Sequence, residues 1–453
     1  MASTYLQRTM GTPTNNKKWT LSFWLKKGSN DTNVYLFTAY NSSQTDNRSW
    51  VNFQSGNTIS IAHYDVSGYT WRFVTNRKFR DLNSWYHIVV ATDTTQSTAS
   101  DRVKLYVNGE QETSWSTETP PSQNYDPQFN SAQPFRVGQS YNNSSYFDGA
   151  MSHVHFIDGT AYTPSAFGET DATTGEWKAK TSPSVTYGNN GFFILKDGNG
   201  ITDQSSNSND FTLGGGTLTN LKDNPDNVFA TMNPLDNYWQ GSTFSNGNNT
   251  IVTGSNSTTF NTSTLLMTSG KYYVEVKPTS GSATLNIGVT GEQAVNASQT
   301  LASRGTGYAY LSSSGVFNNG SSVGGTFNSY SNNDIIGIAI NLDDEQDGLN
   351  KLYFSKNGVW QNGADPSTPS SVTGVVGITK PSNLNGESKM GGYAFAMNET
   401  WNDNTRTVQW NFGNGYFGTT AVSSAGTNAS GNGIFEYDVP TGYTALSTKG
   451  LNS

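Results

Sequence analysis

Glu110 and Glu112 stand two residues apart, just after the Asn108–Gly109 turn, and two carboxyl groups are the minimum equipment for cleaving a glycosidic bond. Hydrolysis needs them on facing positions, about 5 Å apart for retention and wider for inversion. A place directly behind a tight turn favours a solvated hairpin pair instead, and no catalytic residue is assigned. The four histidines, His63, His87, His153 and His155, raise a second chemistry. His153 and His155 would share one face of a strand, as two zinc ligands do. No third ligand lies nearby in sequence, so a packed or surface pair is favoured, and His87 reads as a hydrogen-bonded structural residue. No Ser-His-Asp set can be assembled.

Asp343, Glu345, Asp347 and Gly348 reproduce the opening of a calcium loop, with oxygens at alternating positions and a glycine for the sharp turn. Phe354 occupies the place where a bidentate glutamate would close it, so Ca2+ is weighed against an acidic β-turn, which is favoured. Asp197–Gly198–Asn199–Gly200 with Asp203 carries the same two readings. No motif requires a cofactor. Sugar binding would use aromatic faces against C–H patches and amides or carboxylates against hydroxyls. Three loops combine these: Ser114–Asp126 with Trp115, Tyr125 and Asp126; Asp65–Trp71; and Gln139–Asp148 with Tyr141, Asn142, Asn143, Tyr146 and Asp148. The last is the preferred candidate, set against a plain ordered turn with a tyrosine at the sandwich edge. Tyr238 and Trp239 read as residues that pack two domains together.

What must position these residues is a β-fold. Six segments of the first part alternate with period two: 19–26, 50–53, 58–63, 69–74, 85–93 and 103–108, followed by 135–138, 153–158 and 192–195. Gly, Asn and Asp punctuate them, as hairpin turns require. Residues 159–186 show no period and read as a wrapping segment. A second series follows at 271–277, 285–290, 307–311, 335–342, 351–355, 393–397 and 407–412, with a tail at 435–446 that pads a sheet edge or contacts a neighbour. The expectation is an all-β chain of two tandem antiparallel β-sandwiches, at 1–222 and 241–453, joined by a linker at 223–240 that has room for one short helix.

Composition agrees with that picture. Only 33% of the 453 residues are hydrophobic and 13% charged, yet 23 Tyr, 23 Phe and 11 Trp supply the buried area that a disordered chain lacks. The net charge of −8, without a basic block, argues against nucleic acid and anionic lipid as partners. There is no Cys, so packing alone must hold the fold. Residues 1–10 lack an apolar signal core, and no run reaches the ~18 apolar residues of a membrane span. An outward-acting protein of this kind would leave its cell by another route, such as release inside a virion.

The ordered set WTLSFWLKKG, NSWYHIVVATD, RVKLYVNGE and FDGAMSHVHFIDG resembles the laminin-G, concanavalin A-like jelly rolls over roughly residues 1–170. NDIIGIAINLDDEQDGLNKLYFSKNGVW with TVQWNFG resembles SPRY-type sandwiches over roughly 240–420, which implies that Trp360, Trp401 and Asn402 lie on an interaction face. The series that includes YNNSSYFDGAMSHVHFIDGTAYTPSAFGE and PTGYTALSTKGL is similar to lectin-like or fibre-like proteins of tailed bacteriophages. That resemblance implies a virion appendage, homo-oligomeric, touching other virion proteins and a host polysaccharide or protein. The alternatives are a capsid decoration or tail adaptor with purely structural contacts and, third, a polysaccharide depolymerase.

Overall fold

The computed structural model describes residues 3–30, 33–82, 84–172, 175–180, 182–196, 200–236, 241–254, 258–281, 284–293, 299–313, 315–368, 370–371, 373–400 and 405–451. It divides into two compact units, Met1–Asp226 and Asn227–Ser453. Both are antiparallel β-sandwiches, and the only α-helix among the described residues is Thr448–Leu451.

The first unit contains β1 (Tyr5–Thr9), β2 (Lys18–Lys27), β3 (Val34–Asn41), β4 (Gln44–Gln54), β5 (Thr58–Asp65), β6 (Gly68–Thr75), β7 (Tyr86–Asp93), β8 (Val103–Val107), β9 (Glu110–Gln111), β10 (Trp115–Thr119), β11 (Pro134–Val137), β12 (Gly149–Asp158), β13 (Gly168–Thr170), β14 (Trp177–Ala179), β15 (Phe192–Ile194) and β16 (Thr212–Gly215). One sheet has the order β10-β6-β5-β4-β3-β11-β1-β16, the other β15-β12-β2-β7-β8-β9. Their inner faces meet in an aromatic core. Trp19, Leu21, Phe23 and Leu25 alternate along β2 into it, and Trp19 stacks on Phe156 while Phe23 meets Phe37 at 4.7 Å.

The outer face of the six-stranded sheet is covered by the wrapping segment. Phe167, Tyr162 and Tyr187 pack over Val89 and Ile157, and the β13–β14 hairpin brings Trp177 against His87. This cover explains why β2 is buried on both faces, Thr20 and Ser22 included.

The segment expected to be a linker is divided between the units. Asp223 belongs to the first: its carboxylate pairs with Lys26 at 2.7 Å and accepts the Trp85 indole N–H at 2.9 Å. Phe229 and Met232 belong to the second, where they bridge to Ser447 and Ser263. Residues 227–236 therefore form isolated bridges where a short helix was expected, because their backbone groups find partners across the second core.

The second unit packs a larger sheet, with Lys271–Ser280, Ile336–Gln346 and Leu349–Lys356 near its centre, against a sheet built on Leu285–Glu292 and Lys389–Glu399. The C-terminal tail lies over the outer face of the larger sheet, with Phe435, Val439 and Tyr443 against Tyr273 and Tyr353. Thr444–Ala445 pairs parallel with Tyr272 and Tyr273. Beneath it Glu275 is fully buried, and its carboxylate accepts the backbone N–H of Glu436 and Tyr437, both at 2.8 Å.

Candidate functional site

The outer face of the eight-stranded sheet of the first unit carries rings and guanidinium groups where solvated strands usually carry Ser and Thr. Along β4, Val51 and Phe53 enter the core, so Arg48, Trp50 and Asn52 lie on the opposite side. A register shift between the His63–Trp71 and Tyr64–Tyr69 pairs moves Tyr69 onto that side as well, beside Arg72. Tyr35 and Tyr40 of β3, Arg136 of β11 and Tyr5 of β1 extend the surface.

These groups are interleaved. The Arg48 guanidinium lies between the rings of Tyr64 (4.5 Å) and Tyr141 (4.2 Å). Arg72 covers Tyr69 at 4.5 Å, and Arg136 lies 5.0 Å from Tyr40 and 5.4 Å from Tyr5. Trp50 meets Tyr69 edge-on at 5.8 Å and Tyr35 at 6.1 Å. Such cation–ring contacts are each worth about 0.5–2 kcal/mol and hold the rings in fixed orientations. Several polar atoms here are buried without a protein partner: Trp50 Nε1, Asn52 Oδ1, Arg72 Nε, Arg136 Nε and Gln139 Oε1.

The preferred loop, 139–148, borders this face. Tyr141 joins it through Arg48 and Tyr40, and Tyr146 through Tyr5 at 6.3 Å. Asn143 Oδ1 accepts from Arg136 Nη1 at 2.9 Å, and Asn142 Oδ1 accepts from Ser144 at 2.7 Å, so both amides hold the loop's shape. Asp148 lies at the loop's far end, where its carbonyl accepts the Gly28 N–H. At the other side of the face, Gln7, Arg8, Thr9, Tyr40, Pro134, Arg136, Asp210 and Thr212 line a cavity of about 480 Å³.

The other candidates are placed elsewhere. Trp115 packs edge-on against Phe73 at 5.2 Å and Tyr125 against His63 at 5.3 Å, both closing the core, and burial pushes the Tyr125 phenol up to about 12. That loop therefore seals the sandwich edge, because its rings find buried partners. Trp360 is half-buried against Tyr273, under the edge of the tail. Trp401, Asn402, Tyr238, Trp239 and Asp197–Asn199 lie outside the described residues.

Asp343, Glu345 and Asp347 do not converge on a cation. Asp343 accepts the Gly270 N–H, the intervening Asp344 pairs with Lys271 at 2.8 Å, Glu345 pairs with Lys380, and Asp347 takes the left-handed turn position with φ 54°. Backbone and lysine partners thus claim the oxygens that a calcium ion would need. No group of three or more His, Asp or Glu is arranged to hold a metal among the described residues.

Glu110 is exposed on edge strand β9 of the other sheet, whereas Glu112 is buried, bonded to Arg77 at 2.7 Å and to the Ser114 N–H at 3.0 Å. The two carboxyls frame no cleft. His153 and His155 share the outer face of β12 against Phe193 at 6.0 and 3.8 Å, each also bonded to a hydroxyl, of Ser152 and Tyr187.

The site is thus a rigid platform of rings, guanidinium groups and amides, equipped to stack and to hydrogen-bond. Residues 2–166 match the model of the concanavalin A-like lectin/glucanases superfamily. No curated protein sequence matches the chain. Similar solved structures include the SPRY domain of human HERC1 (15% identity, 40% of this chain and 96% of that one, TM-score 0.29). Others are the LG1-3 region of the laminin alpha2 chain (11%, 90% and 59%, TM-score 0.31) and the CBM40 of the Ruminococcus gnavus IT-sialidase bound to alpha2,3 sialyllactose (11%, 33% and 91%, TM-score 0.24). The first unit is thus similar to the concanavalin A-like jelly rolls in sequence and in its two-sheet architecture.

Proposed function

We propose that the chain is a non-catalytic binding protein whose first unit grips a polysaccharide on the outer face of the eight-stranded sheet. The observation that carries the reading is the interleaved ring and guanidinium array of Arg48, Trp50, Tyr64, Tyr69, Arg72 and Tyr141. Sugar rings present C–H patches to aromatic faces and hydroxyls to amides and guanidinium groups, so one extended chain can satisfy several of these at once. The sequence resemblance to fibre-like proteins of tailed phages supports placing it on a virion, as a homo-oligomeric appendage that adsorbs to host surface glycan.

Tyr69 is 49% exposed and Tyr141 partly so, which makes them the rings to remove. Tyr69→Ala and Tyr141→Ala are each expected to weaken adsorption to host cells or immobilised capsule about tenfold, the equivalent of ~1.4 kcal/mol for one lost stacking contact. Unfolding midpoints should stay close to wild type. Undiminished adsorption by the double variant would refute the assigned face. Contacts in the assembled particle that bury the whole face would favour the structural-adaptor alternative. New reducing ends on incubation with capsule would favour the depolymerase.

A further inference from the structure

Two arginines line the cavity beside the aromatic platform, and among the described residues neither donates a hydrogen bond to a carboxylate. Arg136 is only 8% exposed, yet its Nη1 donates solely to neutral oxygens, those of Ser140 (2.9 Å), Tyr141 (3.2 Å) and Asn143 (2.9 Å). Arg8 Nη2 donates to Asn209 Oδ1 at 2.8 Å. Arg136 Nε and Arg8 Nε and Nη1 are buried with no partner. A buried cation is costly to keep without a counter-charge, and a planar guanidinium matches a carboxylate through two parallel N–H bonds. Asp210 is the single carboxylate in the lining, and because Asp203 and Asp210 both act on the charge of Arg8, the guanidinium left without a counter-charge in the cavity is that of Arg136.

The cavity's volume, about 480 Å³, falls within the ~300–1,000 Å³ of small-ligand sites. Tyr40 belongs to both surfaces: it lines the cavity and faces Tyr141 of the platform at 6.5 Å. We propose that this cavity takes the carboxylate of an acidic sugar, a uronic acid or a related carboxylated residue, within the polysaccharide that lies on the platform. The assignment rests on the glycan-binding reading above and specifies its ligand class.

The test measures binding of the full-length protein to a polyuronate, to the same polymer after reduction of its carboxyl groups to alcohols, and to dextran sulfate. The polyuronate should bind at least tenfold more tightly than its reduced form, and more tightly than dextran sulfate. Arg136→Gln should abolish that preference: binding to the polyuronate falls to the level of the reduced polymer, whose own binding also weakens because the variant loosens the 139–148 loop. Because Arg136 is buried, Asp210→Asn supplies a readout of opposite sign: the carboxylate that repels the ligand is removed, and affinity for the polyuronate should rise several-fold. Equal binding of both polymers, or a preference that survives Arg136→Gln and ignores Asp210→Asn, overturns the carboxylate site and leaves the platform standing. Failure to bind any polymer overturns the platform reading itself.

Discussion

Replacing Glu275 with alanine is expected to destabilise the second unit by about 3–5 kcal/mol, because it removes a buried acceptor shared by four donors, of which Asn411 Nδ2 keeps a second acceptor in the Ile434 carbonyl. Besides the Glu436 and Tyr437 N–H groups, the carboxylate takes Asn411 Nδ2 and the Tyr273 hydroxyl, both at 3.2 Å. Each donor left unsatisfied in a buried place costs about 1–3 kcal/mol, and the loss cannot be recovered from water while the tail stays seated. The tail is therefore expected to lift, with Phe435 and Val439 leaving Tyr273 and Tyr353 exposed. For a unit of this size such a loss lowers its unfolding midpoint by roughly 10 °C. Calorimetry on the whole protein, together with limited proteolysis across residues 423–440, reads both effects. A shift under about 1 kcal/mol with the tail still protected would show that Glu275 does not anchor it. Glu275→Gln should fall between, since one oxygen still accepts but the amide N–H₂ faces donors.

The tail, expected to pad a sheet edge or contact a neighbour, lies instead over the outer face of the larger sheet, and its anchor was not legible in the sequence. Glu275 sits inside KYYVEVK, where period two marks it as facing away from the core, and only the tail, some 160 residues later, makes that face an interior. The same limit governed the candidate platform. Trp19–Lys26 and Trp85–Asp93 were readable as strands because their alternation is unbroken; Val34–Asn41 was not, since register shifts at Tyr35–Phe37 and Tyr40–Asn41 interrupt its pattern. Tyr35 and Tyr40 thereby escaped notice. Tyr141 and Tyr146 were accessible as a loop rich in rings and amides. Arg48, Trp50, Tyr69, Arg72 and Arg136 became neighbours only through the pairing of β3 with β11 and β4, of β4 with β5 and of β5 with β6, which no single strand encodes. At Asp343 and Glu345 the partners, Gly270 and Lys380, reach the segment from far along the chain, which local spacing does not encode. Within the expected linker at 223–240, Asp223 is claimed by Lys26 and Phe229 by Ser447, both far along the chain.

Acidification from pH 7 to pH 5 is expected to move the two units in opposite directions. In the first, Trp177 Nε1 donates to His87 Nδ1 at 2.9 Å, so that nitrogen is an acceptor and the proton resides on Nε2, towards Ser22 Oγ at 2.9 Å. A second ring proton would confront the indole N–H. Burial accordingly lowers His87 to about 3 and His63 to about 4, and carries His155 well below its ordinary value. These histidines are neutral in the fold but take protons from pH 6.5 downward once unfolded, so stability present above 6.5 is lost as the pH falls. Over the interval from 6.5 to 5 His87 and His63 each contribute about 2 kcal/mol of loss, and His155 acts in the same direction. In the second unit burial pushes Glu275 up to about 7, against the pull of its hydrogen bonds, so the folded state holds a proton that the unfolded state releases above 4.5. That contribution is present at low pH and lost as the pH rises through 7, which means acidification adds about 2–3 kcal/mol. Scanning calorimetry should therefore show one transition descending and the other ascending between pH 7 and pH 5. His87→Gln should reduce the slope of the first transition by the share of one histidine, and Glu275→Gln should reduce that of the second, where Glu399, also pushed up to about 7 by burial, keeps part of it. Parallel movement of both transitions would mean that ordinary surface carboxylates, and not these buried groups, govern the response to acid.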